Sequence, residues 1–196
     1  MSRFTHCCGI LLLTTTGLLS FEATAVPVDL NAFTGDPEVI ITPNGVSATF
    51  MESAFSAVVL LTNDPFLGDP FVIVPGAFTS LTFDFVFNEA PGDDDQFSAY
   101  LFLAQDGPIS GVLDQFSVMS SQAGVVSFDL SPYVSGTELL QLGLQFELFD
   151  ITGGSLNSTV AISNLALTQV VPIPAAIWLF GSGLFSLIGV ARLKKA

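Results

Sequence analysis

The chain has 196 residues; half of them are hydrophobic and only 11% are charged. Eighteen acidic residues outnumber four basic ones, giving a formal net charge of −14 at pH 7. Every basic residue and the single histidine fall near the two termini, so residues 26–170 contain seventeen carboxylates and no Lys, Arg or His. This composition excludes nucleic acid and anionic lipid as partners of that segment, because such contacts need cations.

The same composition argues against catalysis. Without His, Cys or Lys, residues 26–170 cannot form a Ser-His-Asp triad, a cysteine nucleophile, a Schiff base or an ordinary zinc site. Only chemistry based on a pair of carboxyl groups, as in glycosidases, remains open. The sequence therefore predicts a protein that is not an enzyme. Its carboxylates form a solubilising surface, share protons or hold metal ions.

The N-terminal segment, residues 1–25, has the layout of a signal peptide. Arg3 supplies a positive charge and residues 9–19 supply an apolar stretch. Ala23 and Ala25 then form a small-x-small pattern, which predicts cleavage before Val26. Both cysteines lie upstream of that position, so the mature chain is expected to contain no disulfide.

Residues 26–170 show the period-two pattern of half-buried strands. Leu81, Phe83, Phe85 and Phe87 alternate with more polar residues, and segments rich in Gly, Pro, Asn and Asp separate the successive runs. Eight or nine strands are expected, with one helical turn conceivable over 52–61. The pattern predicts an all-β fold, an antiparallel jelly-roll-like β-sandwich, with the fifteen phenylalanines of this segment in its core. Similar runs fall at 46–50, 97–103, 125–130 and 142–148.

The last predicted strand contains an irregularity. In residues 160–167 the apolar positions are 160 and 162, and then 165 and 167. Because side chains alternate between the faces of a strand, this change of parity predicts a β-bulge around Ser163 and Asn164. The segment resembles the closing strand of many carbohydrate-binding-module jelly rolls, and this resemblance implies a fold and not a ligand.

The loop after Asn88 is the best candidate for a metal site. It brings four carboxylates together within seven residues, and calcium prefers six to eight oxygen ligands in flexible geometry. We therefore expect that calcium, if it binds, is held here. A solvated acidic turn is the alternative. The candidate ligands are Glu89, Asp93, Asp94 and Asp95.

Sugar binding is a competing hypothesis. Sugar sites use flat amphipathic aromatic rings, and Tyr100 and Tyr133 are the two such residues in the body of the chain. The alternating pattern predicts that Tyr100 is half-buried in a strand, and the preceding Ser131 and Pro132 predict that Tyr133 lies in a loop.

The C-terminal segment, residues 171–196, combines three features in a fixed order. A short Pro-containing motif precedes seventeen residues without a charge, 175–191, and a basic cluster follows. A helix of that length covers roughly 25 Å, enough for a thin bilayer core, and the basic end is retained on the cytoplasmic side. A transmembrane helix over 175–191 is therefore expected. The cluster comprises Arg192, Lys194 and Lys195.

This tail resembles the VPLPA variant of the PEP-CTERM sorting signal. The motif residues are Val171, Pro172, Ile173, Pro174 and Ala175, with Ile173 where the motif usually has Leu. The resemblance implies an exported protein of a Gram-negative bacterium, held at the inner membrane until an exosortase-type enzyme cleaves the tail. Such proteins are often associated with biofilm or exopolysaccharide matrix.

These observations leave different functions open. The first is a structural or adhesive protein of the cell surface or extracellular matrix, in contact with exopolysaccharide. The second is a calcium- or carbohydrate-binding module delivered by the same route. A permanent single-pass membrane protein is a third possibility, in which the tail persists.

Overall fold

Antiparallel strands make up almost all the regular structure of the chain. The computed structural model describes residues 22–54, 56–73, 78–133, 140–151 and 157–171. A four-residue helix, α1 (Gly107–Ser110), and two 3-10 turns, Leu30–Ala32 and Ser131–Tyr133, complete the elements of these ranges. The strands are β1 (Glu22–Pro27), β2 (Thr34–Gly35), β3 (Val39–Ile41), β4 (Ser47–Met51), β5 (Val58–Asn63), β6 (Ser80–Asn88), β7 (Gln96–Leu103), β8 (Val112–Val118), β9 (Gln122–Asp129), β10 (Leu142–Phe149) and β11 (Thr159–Val171).

The strands form two sheets. The first has the order β3-β4-β11-β6-β9, with β1 also pairing with β11, and the second has the order β2-β5-β10-β7-β8. Apart from the β7–β8 pair, successive strands from β4 onward cross from one sheet to the other. Their inner faces enclose a shared hydrophobic core, which confirms the expected antiparallel β-sandwich.

Phenylalanine rings from both sheets fill the centre of the sandwich. Phe146 of β10 packs edge-on against Phe83 of β6, with ring centroids 5.0 Å apart, and also contacts Phe50 of β4. The expectation that all the phenylalanines are core residues is wrong at three positions: Phe66, Phe71 and Phe149 are exposed. Phe66 and Phe71 lie outside the regular strands, where no alternation directs a side chain inward, and Phe149 ends β10.

Of the range 52–61, in which the sequence allows a helical turn, residues 58–61 belong to β5 and are therefore extended. Val59 and Leu61 are buried on alternate positions, which is the strand period and not the helical one. The predicted bulge is confirmed. The register of β11 against β6 shifts between Ser163 and Ala166, and Asn164 adopts a left-handed φ of 54°.

The predicted terminal segments fall mostly outside the described residues. Ala23 and Ala25 lie within β1, so cleavage before Val26 would cut inside that strand. Val171 ends β11, and the rest of the sorting motif, the helix expected over 175–191 and the basic cluster lie beyond the described ranges. In the ranges that are described, no helix has the length and apolar character needed to span a membrane.

Candidate functional site

A row of polar side chains crosses the outer face of the second sheet. Tyr100 of β7 lies opposite Gln145 of β10, and Gln115 of β8 lies opposite Tyr100. On the other side, Gln145 lies opposite Thr62 of β5. Directly paired residues share one face of a sheet. The residues that flank Tyr100 and Gln145 along their strands are buried in the core, so Tyr100 and Gln145 point the other way. The row therefore lies on the outside of the sandwich.

The centre of this row is recessed. Gln145 is only 8% exposed and Ser98, in the next row, only 2%, although both lie on the outer face. The Gln145 side-chain amide donates to Oε1 of Glu147 at 2.5 Å, which fixes the orientation of the amide. Tyr100 is half-buried beside it, as its strand pattern predicted. The result is a recessed surface with hydrogen-bonding groups around one aromatic ring.

Phe102 and α1 close one end of the face. Phe102 is fully buried although it follows the outward parity of Tyr100, and its ring lies over Gly143 of β10. A Cβ atom at Gly143 would come within 2.2 Å of that ring, so the close approach requires glycine. Helix α1 packs against β7, β8 and β10. The accessible part of the face is thereby limited to the rows beyond Phe102.

Tyr133 takes no part in this surface. Its hydroxyl donates to the carbonyl oxygen of Leu113 at 3.2 Å, and its ring packs against the core. Burial raises the pKa of Tyr133, and the negative charges of Asp114 and Asp129 add to that rise. Of the two tyrosines considered from the sequence, Tyr100 is the one on the outer face.

Carboxylates gather at one end of the first sheet. β4, β11 and β6 are neighbours there, and their last common row places Met51, Thr159 and Asn88 side by side. The next residues along each chain segment therefore meet beyond this row. Glu52 follows β4 and approaches two residues of the β6–β7 loop. One ligand oxygen each from Glu52, Asp93 and Asp95 lies within 4.8 Å of the others, and we call these three residues the carboxylate cluster.

Ser158, immediately before β11, holds this cluster together. Its backbone N–H donates to Oε2 of Glu52 at 2.6 Å, and its hydroxyl donates to Oδ2 of Asp95. The same hydroxyl oxygen accepts from the backbone N–H of Ala90 at 2.7 Å. One serine thus connects β4, the β6–β7 loop and β11, and it positions two of the three carboxyl groups.

The cluster perturbs the ionisation of Glu52. Burial raises the pKa of Glu52 to about 7; the nearby carboxyls of Asp95 and Asp93 add to the rise, and the backbone N–H of Ser158 opposes it. Residues 26–170 contain no Lys, Arg or His that could neutralise the group. Because Glu52 is half-buried, its negative charge is balanced by water, by a proton shared between carboxyls or by a bound cation.

The structure divides the calcium ligands expected from the sequence into two groups. Asp93 and Asp95 are buried and belong to the cluster. Asp94 is exposed and Glu89 is half-buried, and both lie outside the cluster. Sequence reasoning missed Glu52, which lies about forty residues away in the chain, because only the pairing of β4 with β11 brings it to the loop.

The β-bulge carries a further polar pair. Asn164 donates from its side-chain amide to Oδ2 of Asp84 at 2.6 Å, beside a cavity of about 400 Å³ bounded also by Pro27, Val28 and Val46. The left-handed backbone at Asn164 turns its side chain toward β6. The bulge therefore brings Asn164 into hydrogen-bond contact with Asp84.

Comparisons with known proteins find distant structural similarities, several of them to carbohydrate-binding modules. No family model and no curated protein matches the chain. A carbohydrate-binding module specific for non-crystalline cellulose matches 72% of this chain and 92% of its own, at 11% identity and a TM-score of 0.44. A mannan-recognising module matches 78% of this chain and 99% of its own, at 10% identity and a TM-score of 0.43. No residue of this chain takes a role from these distant similarities.

A third distant similarity is to a structure that also contains a carbohydrate-binding module. It contains the first of the family-22 carbohydrate-binding modules and the catalytic module of a Clostridium thermocellum xylanase, in complex with xylohexaose. The match covers 77% of this chain and 28% of the xylanase chain, at 8% identity and a TM-score of 0.41.

Proposed function

We propose that this chain is an exported protein whose β-sandwich binds a neutral polysaccharide, giving it an adhesive role at the cell surface or in an exopolysaccharide matrix. The observation that supports this most is the row of Tyr100, Gln145 and Gln115 on the second sheet, whose centre at Gln145 is recessed. An aromatic ring beside side-chain amides suits a sugar, because the aromatic ring contacts the C–H face of the sugar and the amides bond its hydroxyl groups.

Charge supports a neutral ligand. Residues 26–170 carry seventeen carboxylates and no basic residue, so an anionic polymer would be repelled across the whole domain. Glu147 lies in the row next to Gln145 and accepts its hydrogen bond, which places one further acceptor within the face. The proposed ligand is therefore uncharged and rich in hydroxyl groups.

The residues of the proposed polysaccharide face favour binding over hydrolysis. Glycosidases of the usual kind need two carboxyl groups on either side of the scissile bond. In the rows through Gln145 and Glu147, the described residues contribute one carboxylate, Glu147, and its oxygen is already engaged. We therefore propose that the chain holds a polysaccharide and does not cleave it.

Affinity electrophoresis of the full chain in mild detergent tests this function. Gels would contain a neutral β-glucan, a mannan or a galactan, and a gel with alginate provides the anionic control. We expect retardation by at least one neutral polymer and none by alginate. The Tyr100→Ala variant should lose about tenfold in affinity, roughly 1.4 kcal/mol, whereas Tyr100→Phe should keep most of it.

A pair of glutamines provides a matched control for the position of the site. Gln115 and Gln122 are both exposed on strands at the margins of their sheets, but Gln115 belongs to the second sheet and Gln122 to the first. Gln115→Ala should weaken retardation and Gln122→Ala should not. Equal effects of the two substitutions, or no retardation by any neutral polymer, would refute the proposed site.

We also propose that the sorting tail and signal peptide deliver the domain outside the cell. The support is the order of motif, apolar stretch and basic cluster in the sequence. Mass spectrometry of the mature protein from its host should find an N-terminus at Val26 and a C-terminus near Pro174. An intact C-terminus would favour permanent membrane anchoring instead.

A further inference from the structure

Oδ1 of Asp95 is a buried oxygen without a hydrogen-bond partner among the described residues. Asp95 is fully buried, and its other oxygen already accepts from the hydroxyl of Ser158. A buried carboxylate oxygen left in this state costs several times the net gain of an ordinary hydrogen bond, so native proteins rarely keep one. A proton shared with the neighbouring Glu52 carboxyl, or a ligand from outside the chain, is needed to satisfy this oxygen.

The surroundings of Asp95 define the chemistry of that ligand. One carboxylate oxygen each from Glu52, Asp93 and Asp95 lies within 4.8 Å of the other two, so three carboxyl groups converge on one point. Residues 26–170 offer no Lys, Arg or His to pair with them. A small cation with a preference for oxygen satisfies the buried oxygen and the local negative charge together.

We propose that Glu52, Asp93 and Asp95 bind a calcium ion at the end of the first sheet. Three carboxyl groups supply up to six oxygens, some of them already engaged by Ser158, and water or backbone carbonyl oxygens complete the shell. Calcium is favoured over magnesium because ligands from two separate segments, the end of β4 and the β6–β7 loop, give irregular geometry, which calcium tolerates and magnesium does not. The site is distinct from the polysaccharide face and shares no residue with it.

The position of the site suggests its effect on the domain. Glu52 follows β4, Asp93 and Asp95 belong to the β6–β7 loop, and Ser158 precedes β11. An ion here would link the segment after β4 directly to the β6–β7 loop, in addition to the hydrogen bonds through which Ser158 already connects them. Because the ion binds the folded chain and not the unfolded one, calcium is expected to raise the unfolding temperature in proportion to the logarithm of its concentration.

Calcium titration of the full chain tests the proposal. The protein, in mild detergent and freed of divalent ions with a chelator, would be titrated with CaCl₂ by calorimetry and followed by thermal unfolding. We expect one ion per chain with a dissociation constant of roughly 10⁻⁵–10⁻³ M, the range of weak sensors and extracellular modules. Under the same conditions MgCl₂ should bind about tenfold more weakly.

Substitutions in one loop provide the matched control. Glu52→Gln and Asp95→Asn should each weaken calcium binding by roughly tenfold or more, while Asp94→Asn should change it less than twofold. Asp94 lies between the two aspartates but is exposed, so its substitution removes the same charge without removing a ligand. Circular dichroism would show whether each variant is folded. If Asp95→Asn does not fold, Glu52→Gln still tests the site, because Glu52 is only half-buried.

Three results would overturn the proposal. The first is an absence of heat and of a thermal shift with calcium in folded wild-type protein. The second is an equal loss of affinity in Asp94→Asn and Glu52→Gln, which would indicate diffuse attraction to an acidic surface. The third is equal affinity for magnesium and calcium, which would contradict the assignment of the ion.

Discussion

The two sheets share one core but present different outer faces. On the first sheet, Thr49, Ala161, Val86 and Ala123 form an uncharged row of small side chains across four strands. On the second, the corresponding position is a recessed row around Tyr100 and Gln145. The first sheet carries its carboxylate cluster at its strand ends, where the chain connections position it. The second carries its polar row at mid-strand, where register alone positions it.

Removal of the shared core should affect both sheets at once. Phe146→Ala removes a fully buried ring that contacts Phe83 and Phe50 of the first sheet, so we expect a loss of about 3–5 kcal/mol in the free energy of unfolding. Phe149→Ala on the same strand removes a ring that is 37% exposed and should cost under about 1 kcal/mol. Urea denaturation followed by circular dichroism measures both. Similar losses would contradict a core common to the two sheets.

Substitution of one glycine in each sheet by alanine should reduce stability by different amounts. A Cβ at Gly143 would meet the Phe102 ring at 2.2 Å, so Gly143→Ala should displace that ring and cost about 2 kcal/mol. At Gly124 of the first sheet the nearest atom, in the Phe85 ring, is 3.2 Å away, and the same substitution should cost less than about 1 kcal/mol. Thermal unfolding compares the two. A milder effect at Gly143 would mean that Phe102 does not close the end of the face.

Glu52 makes the stability of the calcium-free chain depend on pH. Its pKa is raised from 4.5 to about 7, so between these values the folded state binds more protons than the unfolded state. The free energy of unfolding therefore falls as pH rises through this window. We expect a fall of about 1 kcal/mol, less than the full pKa shift implies, because solvent screens this partly exposed group. Denaturation curves with a chelator present should show this slope in wild type and in Asp94→Asn, and a flatter one in Glu52→Gln. Equal slopes in all three would contradict the assignment to Glu52.

Asp129, at the end of β9, has a lowered pKa, in contrast to the raised pKa of Glu52, and the smallest effect is expected here. The hydroxyl and backbone N–H of Ser131 both donate to its carboxylate, at 2.6 and 2.9 Å, and they lower the pKa of this exposed group. Ser131→Ala removes the larger of the two contributions, so the pKa should rise toward the ordinary value, as NMR titration would measure. Ser127→Ala on the same strand should leave it unchanged. An unmoved pKa in Ser131→Ala would exclude the hydroxyl as the cause.

The sequence was informative wherever local pattern determines structure. Alternating residues predicted β6, β7 and β10, and the change of parity at Ser163 and Asn164 predicted the bulge, because a strand has a fixed period of two. The loop carboxylates Asp93 and Asp95 were also identifiable as a group.

Features that depend on strand pairing were not accessible from sequence. Glu52 joins the carboxylate cluster only because β4 and β6 both flank β11, and no local signal connects residue 52 with residue 93. The row of Tyr100, Gln145 and Gln115 likewise arises from the registers of β7, β8 and β10. A shift of one residue in any register would turn these side chains into the core.

NMR mapping of the full chain with neutral oligosaccharides locates the proposed polysaccharide-binding face. Cellohexaose, mannohexaose and a galactan oligosaccharide would be titrated separately into isotope-labelled protein saturated with calcium. We predict that at least one shifts the resonances of Tyr100, Gln145 and Gln115 while those of Thr49, Val86 and Ala161 stay in place. Shifts confined to the outer face of the first sheet, or no shifts with any of the three, would contradict the account.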